Sequence, residues 1–351
     1  MLKVIELFGG IGACSKALER LGIPHEIVDY VEIDKYAVAS FNAIHGTHFD
    51  PQDITEWNKD ITCDLIMHGS PCQDFSVAGR QAGGDEGSGT RSSLMYETLR
   101  IVSKIKPKYV IWENVKNLLS KKHRHNFEAY LQYMEDLGYK NYYKVLNAQD
   151  YGVPQHRERI FTVSVRTDVP YSWAFEFPEP IPLEKKLKDI LEDEVDERYY
   201  VSDAMLDYFM GVNQRPSKFP RKERFLANIN RKNQDIANSV TTNAGQRPTD
   251  NFAKAKENWN PTIIEDFYRN RPIREYKDSA PTLRSERSGL KVTEENRIRK
   301  LTPKECWRLM GFDDEDVDKA KKVNSNTQLY KQAGNSIVVN VLEAIFSVLL
   351  K

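Results

Sequence analysis

The stretch VIELFGGIGACSKALERLG (residues 4–22) decides the fold of this chain. An apolar run rich in β-branched residues ends at Phe8, three glycines follow at Gly9, Gly10 and Gly12, and a pattern of helical period begins. Glycines let a backbone approach a ligand closely, and a helix N-terminus presents N–H groups to it. The stretch therefore predicts a strand, a ligand-binding turn and a helix, although such a turn alone is weak evidence for a ligand.

Short apolar runs alternate with helical patterns through the first half of the chain. This pattern predicts strands over residues 3–7, 27–32, 64–67, 109–113 and 160–165, and helices over 15–21, 35–42 and 94–105. The alternation indicates an α/β fold in which a parallel sheet carries helices on both faces. Ligands of such sheets bind beyond the carboxyl ends of the strands, which is where the remaining motifs fall.

The composition is that of a globular chain without a membrane segment. The 351 residues are 40% hydrophobic, and 51 basic residues balance 51 acidic ones. No apolar run approaches the ~20 residues of a membrane span, and the N-terminus lacks a signal-peptide pattern, so a cytoplasmic protein is expected. The four cysteines form no C-x-x-C pair, and His123 and His125 lie in a Lys/Arg-rich segment where solvent exposure is expected. The sequence therefore predicts no metal site.

Two acidic residues follow the glycine-rich turn at positions suited to a nucleoside. Glu32 ends the second predicted strand about twenty residues after the glycines, where a carboxylate reaches ribose hydroxyls. Asp53, followed by Ile54, is placed to accept a hydrogen bond from an adenine amino group. The phosphate-binding pattern G-x-x-x-x-G-K-[ST] is absent from the sequence. A nucleoside without phosphates, such as S-adenosylmethionine, fits this pattern better than ATP.

A cysteine follows Pro71 after the third predicted strand, in HGSPCQDFSVAG (residues 68–79). The N–H groups of a tight turn favour the thiolate form of Cys72, which is the nucleophilic form. Glycines further along, interspersed with Arg80 and Arg91, are typical of a lid that closes over substrate. A lone cysteine is more often a buried core residue. The Pro-Cys-Gln setting at a strand end favours the catalytic interpretation.

Two further motifs supply charged side chains. In YVIWENVKNLL (residues 109–119), Glu113 and Asn114 end a hydrophobic strand, and Glu113 is suited to exchange a proton unless it only caps a helix. In GVPQHRERIFTVSV (residues 152–165), Arg157 and Arg159 precede the next strand two residues apart. Side chains at that spacing point to the same side of a strand. Two guanidinium groups there are expected to hold a carbonyl oxygen and a phosphate.

Together these motifs, in this order, resemble the DNA (cytosine-5)-methyltransferase family of the bacterial and phage restriction–modification type. The resemblance rests on FGGIGA (8–13), SPCQDFS (70–76), ENV (113–115), QHRERIF (155–161), RKLTPKEC (299–306) and GNSIVVNVL (334–342). It implies a Rossmann-like, S-adenosylmethionine-dependent methyltransferase domain with a smaller, irregular target-recognition domain. Residues 1–183 and 326–351 are expected to form the catalytic domain, and residues 184–325 the target-recognition domain and hinge.

The resemblance also implies a role for individual residues. Cys72 becomes the nucleophile that attacks C6 of cytosine, Glu113 engages N3 and Arg159 contacts O2, while Asn114 and Arg157 support the pocket. Contacts to S-adenosyl-L-methionine are implied for Phe8, Gly9, Gly10, Gly12, Glu32, Ile33, Asp53, Ile54, Pro71, Leu94 and Asn335. The methyl group passes to C5 of a cytosine flipped out of double-stranded DNA, which leaves S-adenosyl-L-homocysteine as the product.

The irregular middle of the chain is the expected DNA-reading part. Residues 215–232 contain seven basic residues and one acidic residue, and such a charge beside a methyltransferase core favours contact with DNA. The residues expected to touch DNA are Gln73, Ser76, Arg80, Arg221, Lys222, Arg224 and Arg284. We expect a monomer in the cytoplasm of a bacterium or a phage-infected host, with a cognate restriction endonuclease as a candidate partner.

Three alternatives remain open at this point. A tRNA cytosine-5 methyltransferase of the kind that shares these motifs carries a Cys-Phe-Thr tripeptide, but this sequence has no cysteine between Cys72 and Cys306. A catalytically inactive DNA-binding relative is expected to have lost Cys72, Glu113 or Arg159, and all three are present. A nicotinamide dehydrogenase shares the glycine-rich turn and the acidic ribose contact but has no use for the Pro-Cys-Gln motif.

Overall fold

The computed structural model describes residues 1–71, 91–200, 239–241, 263–264, 275–276, 280–284, 291–294 and 297–351. The chain forms two compact units. The first consists of Met1–Asn147, Glu158–Pro180 and Val339–Lys351, and the second of Ala148–Arg157 and Ile181–Val338. Neither unit is continuous in the sequence, because the chain leaves the first unit after Asn147 and returns to it twice.

The first unit is built on a six-stranded sheet with strand order β2-β1-β3-β4-β7-β5. Its strands are β1 (Leu2–Leu7), β2 (His25–Val31), β3 (Leu65–His68), β4 (Tyr109–Val115), β5 (Tyr139–Asn147) and β7 (Glu158–Arg166), while β6 (Gln155–His156) lies in the second unit. Strands β1 to β4 run parallel, as predicted. All five predicted strands are present, with ends that differ by a few residues.

The prediction of an entirely parallel sheet is wrong at β7, which runs antiparallel to both β4 and β5. Residues 148–157, which join β5 to β7, are fewer than the dozen or more that a parallel crossover needs. The neighbouring strand β5 was not predicted, because Lys140, Asn141 and Lys144 interrupt its apolar pattern. These polar residues are tolerated because β5 is an edge strand.

The helices of the described residues cover the sheet and build the second unit. They are α1 (Ala13–Arg20), α2 (Lys35–His45), α3 (Met95–Ile105), α4 (Arg124–Asp136), α5 (Pro303–Arg308), α6 (Asp314–Lys321), α7 (Asn326–Asn335) and α8 (Val339–Leu349). Helix α3 buries Leu99, Ile101 and Val102 against the sheet core. Helix α8 packs on α1, where Arg20 and Glu343 form an ion pair at 3.5 Å.

A buried carboxylate holds the N-terminus of α1. Glu6 of β1 is only 2% exposed, and its Oε1 accepts hydrogen bonds from the backbone N–H of Ser15 (3.0 Å) and from the Ser15 hydroxyl. The residue before the helix, Gly12, has no side chain that could do this. A negative charge is favourable at this end of a helix. Burial nevertheless raises the pKa of Glu6 to about 7.

We expect the stability of the protein to fall relative to that of a Glu6→Gln variant as the pH rises from 5 to 8. The pKa of Glu6 lies above its ordinary value of 4.5, so the folded state holds a proton that the unfolded state releases. That contribution is lost as the pH passes about 7, and it amounts to about 2 kcal/mol over this range. Urea unfolding of both proteins at the two pH values measures it. An identical pH dependence in both would contradict the expectation.

The second unit explains the RKLTPKEC motif as a structural element. Thr302 and Glu305 form a capping box at the start of α5, with Pro303 in the first turn. The guanidinium of Arg299 donates two hydrogen bonds of 2.9 Å to the carboxylate of Glu305, and both side chains are fully buried. A buried pair of this kind is destabilising to break, because either partner alone would be an uncompensated charge.

Two small sheets complete the described part of the second unit. Strands β8 (Ser239–Thr241), β11 (Ala280–Arg284) and β6 form one, and β9 (Ile263–Ile264), β10 (Glu275–Tyr276), β12 (Lys291–Glu294) and β13 (Arg297–Lys300) form the other. In the first sheet β11 lies between β6 and β8 and runs parallel to both. The QHRERIF motif is therefore paired, through β6, with a strand from the irregular middle of the chain.

Two further sequence expectations can be compared with the structure. His123 is buried at the start of α4, contrary to the prediction that both histidines are exposed, whereas His125 is exposed as predicted. Among the described residues there is no group of three or more His, Cys, Asp or Glu side chains arranged to hold a metal. One helical stretch of these residues, Asn326–Leu349, is long and apolar enough to cross a membrane. It is weak evidence for a span, because 56% of its apolar window is buried inside the protein.

Candidate functional site

The glycine-rich turn lies between β1 and α1 in the first unit. A Cβ atom at Gly9 would lie 2.6 Å from the ring of Tyr30, and one at Gly12 would lie 2.3 Å from Nε2 of His45. A Cβ at Gly10, where φ is +56°, would meet nothing within 4 Å. Gly9 and Gly12 are therefore required by packing, whereas Gly10 borders open space. The Tyr30 hydroxyl fixes the turn by donating to the Gly10 carbonyl at 2.6 Å.

The carboxylate of Glu32 is attached to this turn. It accepts hydrogen bonds from the backbone N–H groups of Gly10 (3.2 Å) and Asp34 (2.9 Å), so it bridges the turn and the start of α2. Burial raises the pKa of Glu32. The neighbouring side chain of Ile33 is 68% exposed. The Glu32 carboxylate is thus fixed beside Gly10, and the next residue in the sequence exposes an apolar side chain.

The remaining predicted cofactor residues of the first unit fall into two groups. Asp53 caps a short 3₁₀ helix, and its Oδ1 accepts hydrogen bonds from the N–H (2.9 Å) and the hydroxyl (2.8 Å) of Thr55. Phe8, Ile54 and Leu94 belong to one hydrophobic core cluster. Their apolar contacts bring together three segments that are distant in the sequence.

These residues fit a nucleoside that carries no phosphate. In dinucleotide-binding folds the helix after the glycine-rich turn binds a pyrophosphate with its N-terminal N–H groups. Here the carboxylate of Glu6 already takes the N–H of Ser15 at that end of α1. This N–H group is therefore not available to a phosphate.

Glu113 and Arg159 form an ion pair at the carboxyl end of β4. Arg159 Nε lies 2.9 Å from Glu113 Oε1, and the two side chains are 16% and 12% exposed. Strands β4 and β7 carry them, with Val115 opposite Arg159 and Glu113 opposite Phe161. The pair therefore presents an acid and a guanidinium in a partly enclosed position, as recognition of a polar base edge requires.

The segment that leads to Cys72 is hydrogen-bonded to the same strand end. Ser70 Oγ accepts a hydrogen bond from Trp112 Nε1 (2.9 Å), and the Ser70 carbonyl accepts one from Asn114 Nδ2 (3.3 Å). Trp112 and Asn114, on either side of Glu113 in the sequence, thus hold this segment in place. Pro71 is half-buried, whereas Cys72 lies outside the described residues, as do Gln73, Ser76 and Arg80.

Arg157 is used differently from the expected side-by-side arrangement with Arg159. It is buried in the second unit, between β6 and β7, and its Nη2 donates to the carbonyl oxygens of Ser336 (2.8 Å) and Gly334 (3.4 Å). Side chains two residues apart point to the same side only within one strand. Arg157 lies before β7 begins at Glu158, where the chain passes from the second unit to the first. Arg157 holds the backbone on both sides of Asn335, an exposed residue that ends α7.

The predicted DNA contacts fall largely outside the described residues. Arg221, Lys222 and Arg224 belong to that part of the chain. Arg284 ends β11, where it is paired with Thr241 of β8, and only its backbone is described. The segments Ser239–Thr241 and Ala280–Arg284 of the irregular middle of the chain are therefore neighbouring parallel strands.

The sequence did not predict the group of buried side chains around Trp112, next to the segment before Cys72. Ser70, His68 and Tyr130 are buried, and each contacts the indole ring or the indole N–H of Trp112. A usable signal was the occurrence of His68 and Trp112 in otherwise aliphatic strands. Polar atoms at such positions need buried partners, and those partners cannot be identified without the fold.

Comparison with known proteins identifies a family and relatives that this chain matches over nearly its whole length. The family model of the C-5 cytosine-specific DNA methylases matches residues 2–351. The chain is 32% identical to the type II methyltransferase M2.ScrFI of Lactococcus lactis subsp. cremoris over 100% of this chain and 99% of that protein. It is 33% identical to the type II methyltransferase M.HhaI of Haemophilus parahaemolyticus, covering 98% and 93%.

A solved structure with the same fold is the Dnmt2 methyltransferase of S. pombe. It has a TM-score of 0.65 and 20% identity, and the match covers 100% of this chain and 98% of that one. At this identity the likeness concerns the fold alone, which is the predicted Rossmann-like methyltransferase fold.

Proposed function

Because the chain belongs to the C-5 cytosine-specific DNA methylase family, we propose that Cys72 attacks C6 of a flipped-out cytosine while Glu113 and Arg159 hold the base. The protein is a DNA (cytosine-5)-methyltransferase, and its cofactor is S-adenosyl-L-methionine. The observation that carries the proposed roles is the arrangement at the end of β4. Glu113, which forms an ion pair with Arg159 of the neighbouring strand β7, lies on the strand β4 whose Trp112 and Asn114 hold the segment before Cys72.

Covalent catalysis is needed because C5 of cytosine is a poor nucleophile. Addition of the Cys72 thiolate to C6, with a proton held at N3 by Glu113, leaves an enamine whose electron pair is available at C5. When bound, S-adenosyl-L-methionine supplies an electrophilic methyl group. Removal of the C5 proton and departure of the Cys72 thiolate then restore the aromatic ring. The base must leave the helix for this to happen, because C6 and C5 are inaccessible in stacked duplex DNA.

Arg159 has two roles in this proposal. Its guanidinium compensates the charge of Glu113 and keeps the carboxylate in a fixed orientation, since their atoms are 2.9 Å apart. The remaining N–H groups of Arg159 would donate to O2 of the cytosine. One donor at Nη1 already binds the Glu158 carbonyl at 2.8 Å, which limits the rotation of the side chain.

Residues of the first unit are proposed to hold the cofactor. Glu32 and Asp53 would accept hydrogen bonds from the ribose and the adenine, Gly10 would allow close approach, and Ile33 would cover the adenine face. The fixed position of Glu32, the open space at Gly10 and the exposure of Ile33 support these assignments. Pro71 of the same unit is a proposed contact as well, and so is Asn335, which belongs to the second unit.

DNA in which every cytosine is replaced by 5-fluorocytosine tests the covalent step. Fluorine at C5 cannot leave as a proton does, so the Cys72–C6 bond should persist and the protein should migrate with the DNA in denaturing gels. We expect this adduct only when S-adenosyl-L-methionine is present. Methylation of ordinary DNA without any adduct on the fluorinated DNA would contradict the proposed mechanism.

The location, the oligomeric state, the unit that reads DNA and the partner enzyme are proposals as well. We propose a cytoplasmic monomer whose second unit reads the DNA sequence, with the basic residues of 215–232 at the phosphates. The type II names of the relatives support a cognate restriction endonuclease that cuts the same sequence. Such an endonuclease would be blocked by the methyl groups that this protein adds.

A further inference from the structure

The segment before Cys72 is hydrogen-bonded to the side chain of Trp112, which has no role of its own in the proposed reaction. Trp112 is buried in β4, and its indole N–H donates to Ser70 Oγ at 2.9 Å. Ser70 lies two residues before Cys72, so the two Cα atoms are at most about 7 Å apart. The hydroxyl of Ser70 is itself buried, which means that water cannot replace Trp112 as its partner.

The indole ring of Trp112 is fixed by two further buried side chains. His68 of β3 stacks on it with an interplanar angle of 7° and a centroid distance of 5.7 Å. Tyr130 of α4 lies with its ring centroid 4.2 Å from that of Trp112, and its hydroxyl is 3.1 Å from Nε2 of His68. Burial lowers the pKa of His68 to about 3, so the ring stays neutral near physiological pH. The direction of the indole N–H is therefore set by packing from β3 and α4.

The same strand carries Glu113 between the two residues that hold Ser70. In a strand, alternate side chains point to the same face, and Trp112 and Asn114 indeed both bind Ser70. Because only Pro71 separates Ser70 from Cys72 in the sequence, we expect a shift of Ser70 to move Cys72 relative to Glu113. We infer that Ser70 and Trp112 form a latch, in which the indole–hydroxyl hydrogen bond positions the nucleophile against the acid. This inference rests on the proposed roles of Cys72 and Glu113.

Ser70 and Trp112 are positioning residues in this scheme, since neither is proposed to touch the base or the cofactor. A displacement of about 1 Å in a reacting group costs up to ~10²-fold in rate. Loss of the latch should therefore lower kcat by roughly 10- to 100-fold. The KM for S-adenosyl-L-methionine should change by a smaller factor than kcat, because Gly10 and Glu32 keep the hydrogen bond between them and, of the proposed cofactor contacts, Pro71 is the one next to Ser70.

The test uses Ser70→Ala, Trp112→Phe and the double variant. Each single variant removes the same hydrogen bond, and phenylalanine keeps an aromatic ring between His68 and Tyr130. We expect both single variants to lose kcat, and the double variant to be no slower than the slower single variant, since the shared interaction can be lost only once. The rate of adduct formation on 5-fluorocytosine DNA should fall by the same factor as kcat.

Trp307→Phe is the matched control. Trp307 is equally buried, lies in the second unit and donates its indole N–H to the Leu329 carbonyl at 2.9 Å. The control loses a comparable hydrogen bond and is expected to lose stability without losing kcat. Thermal unfolding of all variants identifies any that fail to fold. If Trp112→Phe fails to fold, the kcat of Ser70→Ala, which is the smallest change, decides the test.

The outcomes separate the latch from the proposed catalytic roles. Failure of the wild-type protein to form the adduct would overturn the roles of Cys72 and Glu113. A wild-type protein that forms the adduct, with folded Ser70→Ala reacting at the same kcat, would overturn the latch alone. A fall in kcat that is strictly additive in the double variant, or that comes with an equal rise in the KM for S-adenosyl-L-methionine, would overturn it too.

Discussion

A Cys72→Ala variant will transfer no methyl group to DNA but will bind S-adenosyl-L-methionine as tightly as the wild-type protein. Alanine offers no nucleophile, so C5 of cytosine cannot be activated and the reaction loses its covalent pathway. The proposed cofactor residues Gly10 and Glu32 keep their contacts, because they are formed by β1, β2 and the turn between β1 and α1. Transfer of tritiated methyl groups measures the first effect, and equilibrium dialysis with labelled cofactor measures the second.

Cys63→Ala is the control for this variant. Burial raises the pKa of the Cys63 thiol to about 12, so this cysteine is not a thiolate near neutral pH. The control is expected to methylate DNA at the wild-type rate. Turnover by Cys72→Ala at a comparable rate would show that another group, or no covalent step at all, activates the cytosine.

A Glu113→Gln variant will methylate DNA at least ~10²-fold more slowly than the wild-type protein, which is the usual cost of losing a general acid or base. An amide cannot hold or supply the proton at N3, and it leaves Arg159 without a charged partner at 2.9 Å. The defect should appear in kcat, measured with saturating DNA and cofactor. The KM for S-adenosyl-L-methionine should not change.

Glu158→Gln tests whether any loss of an ion pair near this strand end has the same effect. Glu158 pairs with Lys116 at 2.8 Å, and the two side chains are 36% and 55% exposed, whereas those of Glu113 and Arg159 are mostly buried. Exposed pairs contribute little to stability, so this variant should retain the wild-type kcat. An equal loss of kcat in both variants, or none in Glu113→Gln, would remove the proposed role of Glu113.

The sequence predicted the parts of the fold that local pattern determines. The strand–turn–helix unit of residues 4–22 and the other four predicted strands are present, because β-branched runs and glycine positions act over a few residues. The capping box at Thr302 was not predicted, although T-x-x-E with a proline after the threonine is a local signal too. The motif that contains it proves to build the second unit, through the buried Arg299–Glu305 pair.

The features that escaped prediction depend on residues distant in the sequence. The antiparallel direction of β7 follows from its short connection to β5. Strand β5 is an edge strand, and its polar residues interrupt the alternation of apolar side chains from which a strand is predicted. Arg157 is separated from Arg159 because the chain passes from one unit to the other between them. The contacts of Trp112 with Ser70, His68 and Tyr130 join three elements, and no spacing rule relates their positions.

Bisulfite sequencing tests most directly whether this protein methylates C5 of cytosine in a specific DNA sequence. Unmethylated plasmid is incubated with the purified protein and S-adenosyl-L-methionine, and every cytosine is then scored. The expected result is 5-methylcytosine at one position of a recurring short sequence, and none when the cofactor is omitted. A plasmid that stays unmodified, while tRNA incubated in parallel acquires 5-methylcytosine, would contradict the assignment of DNA as the substrate.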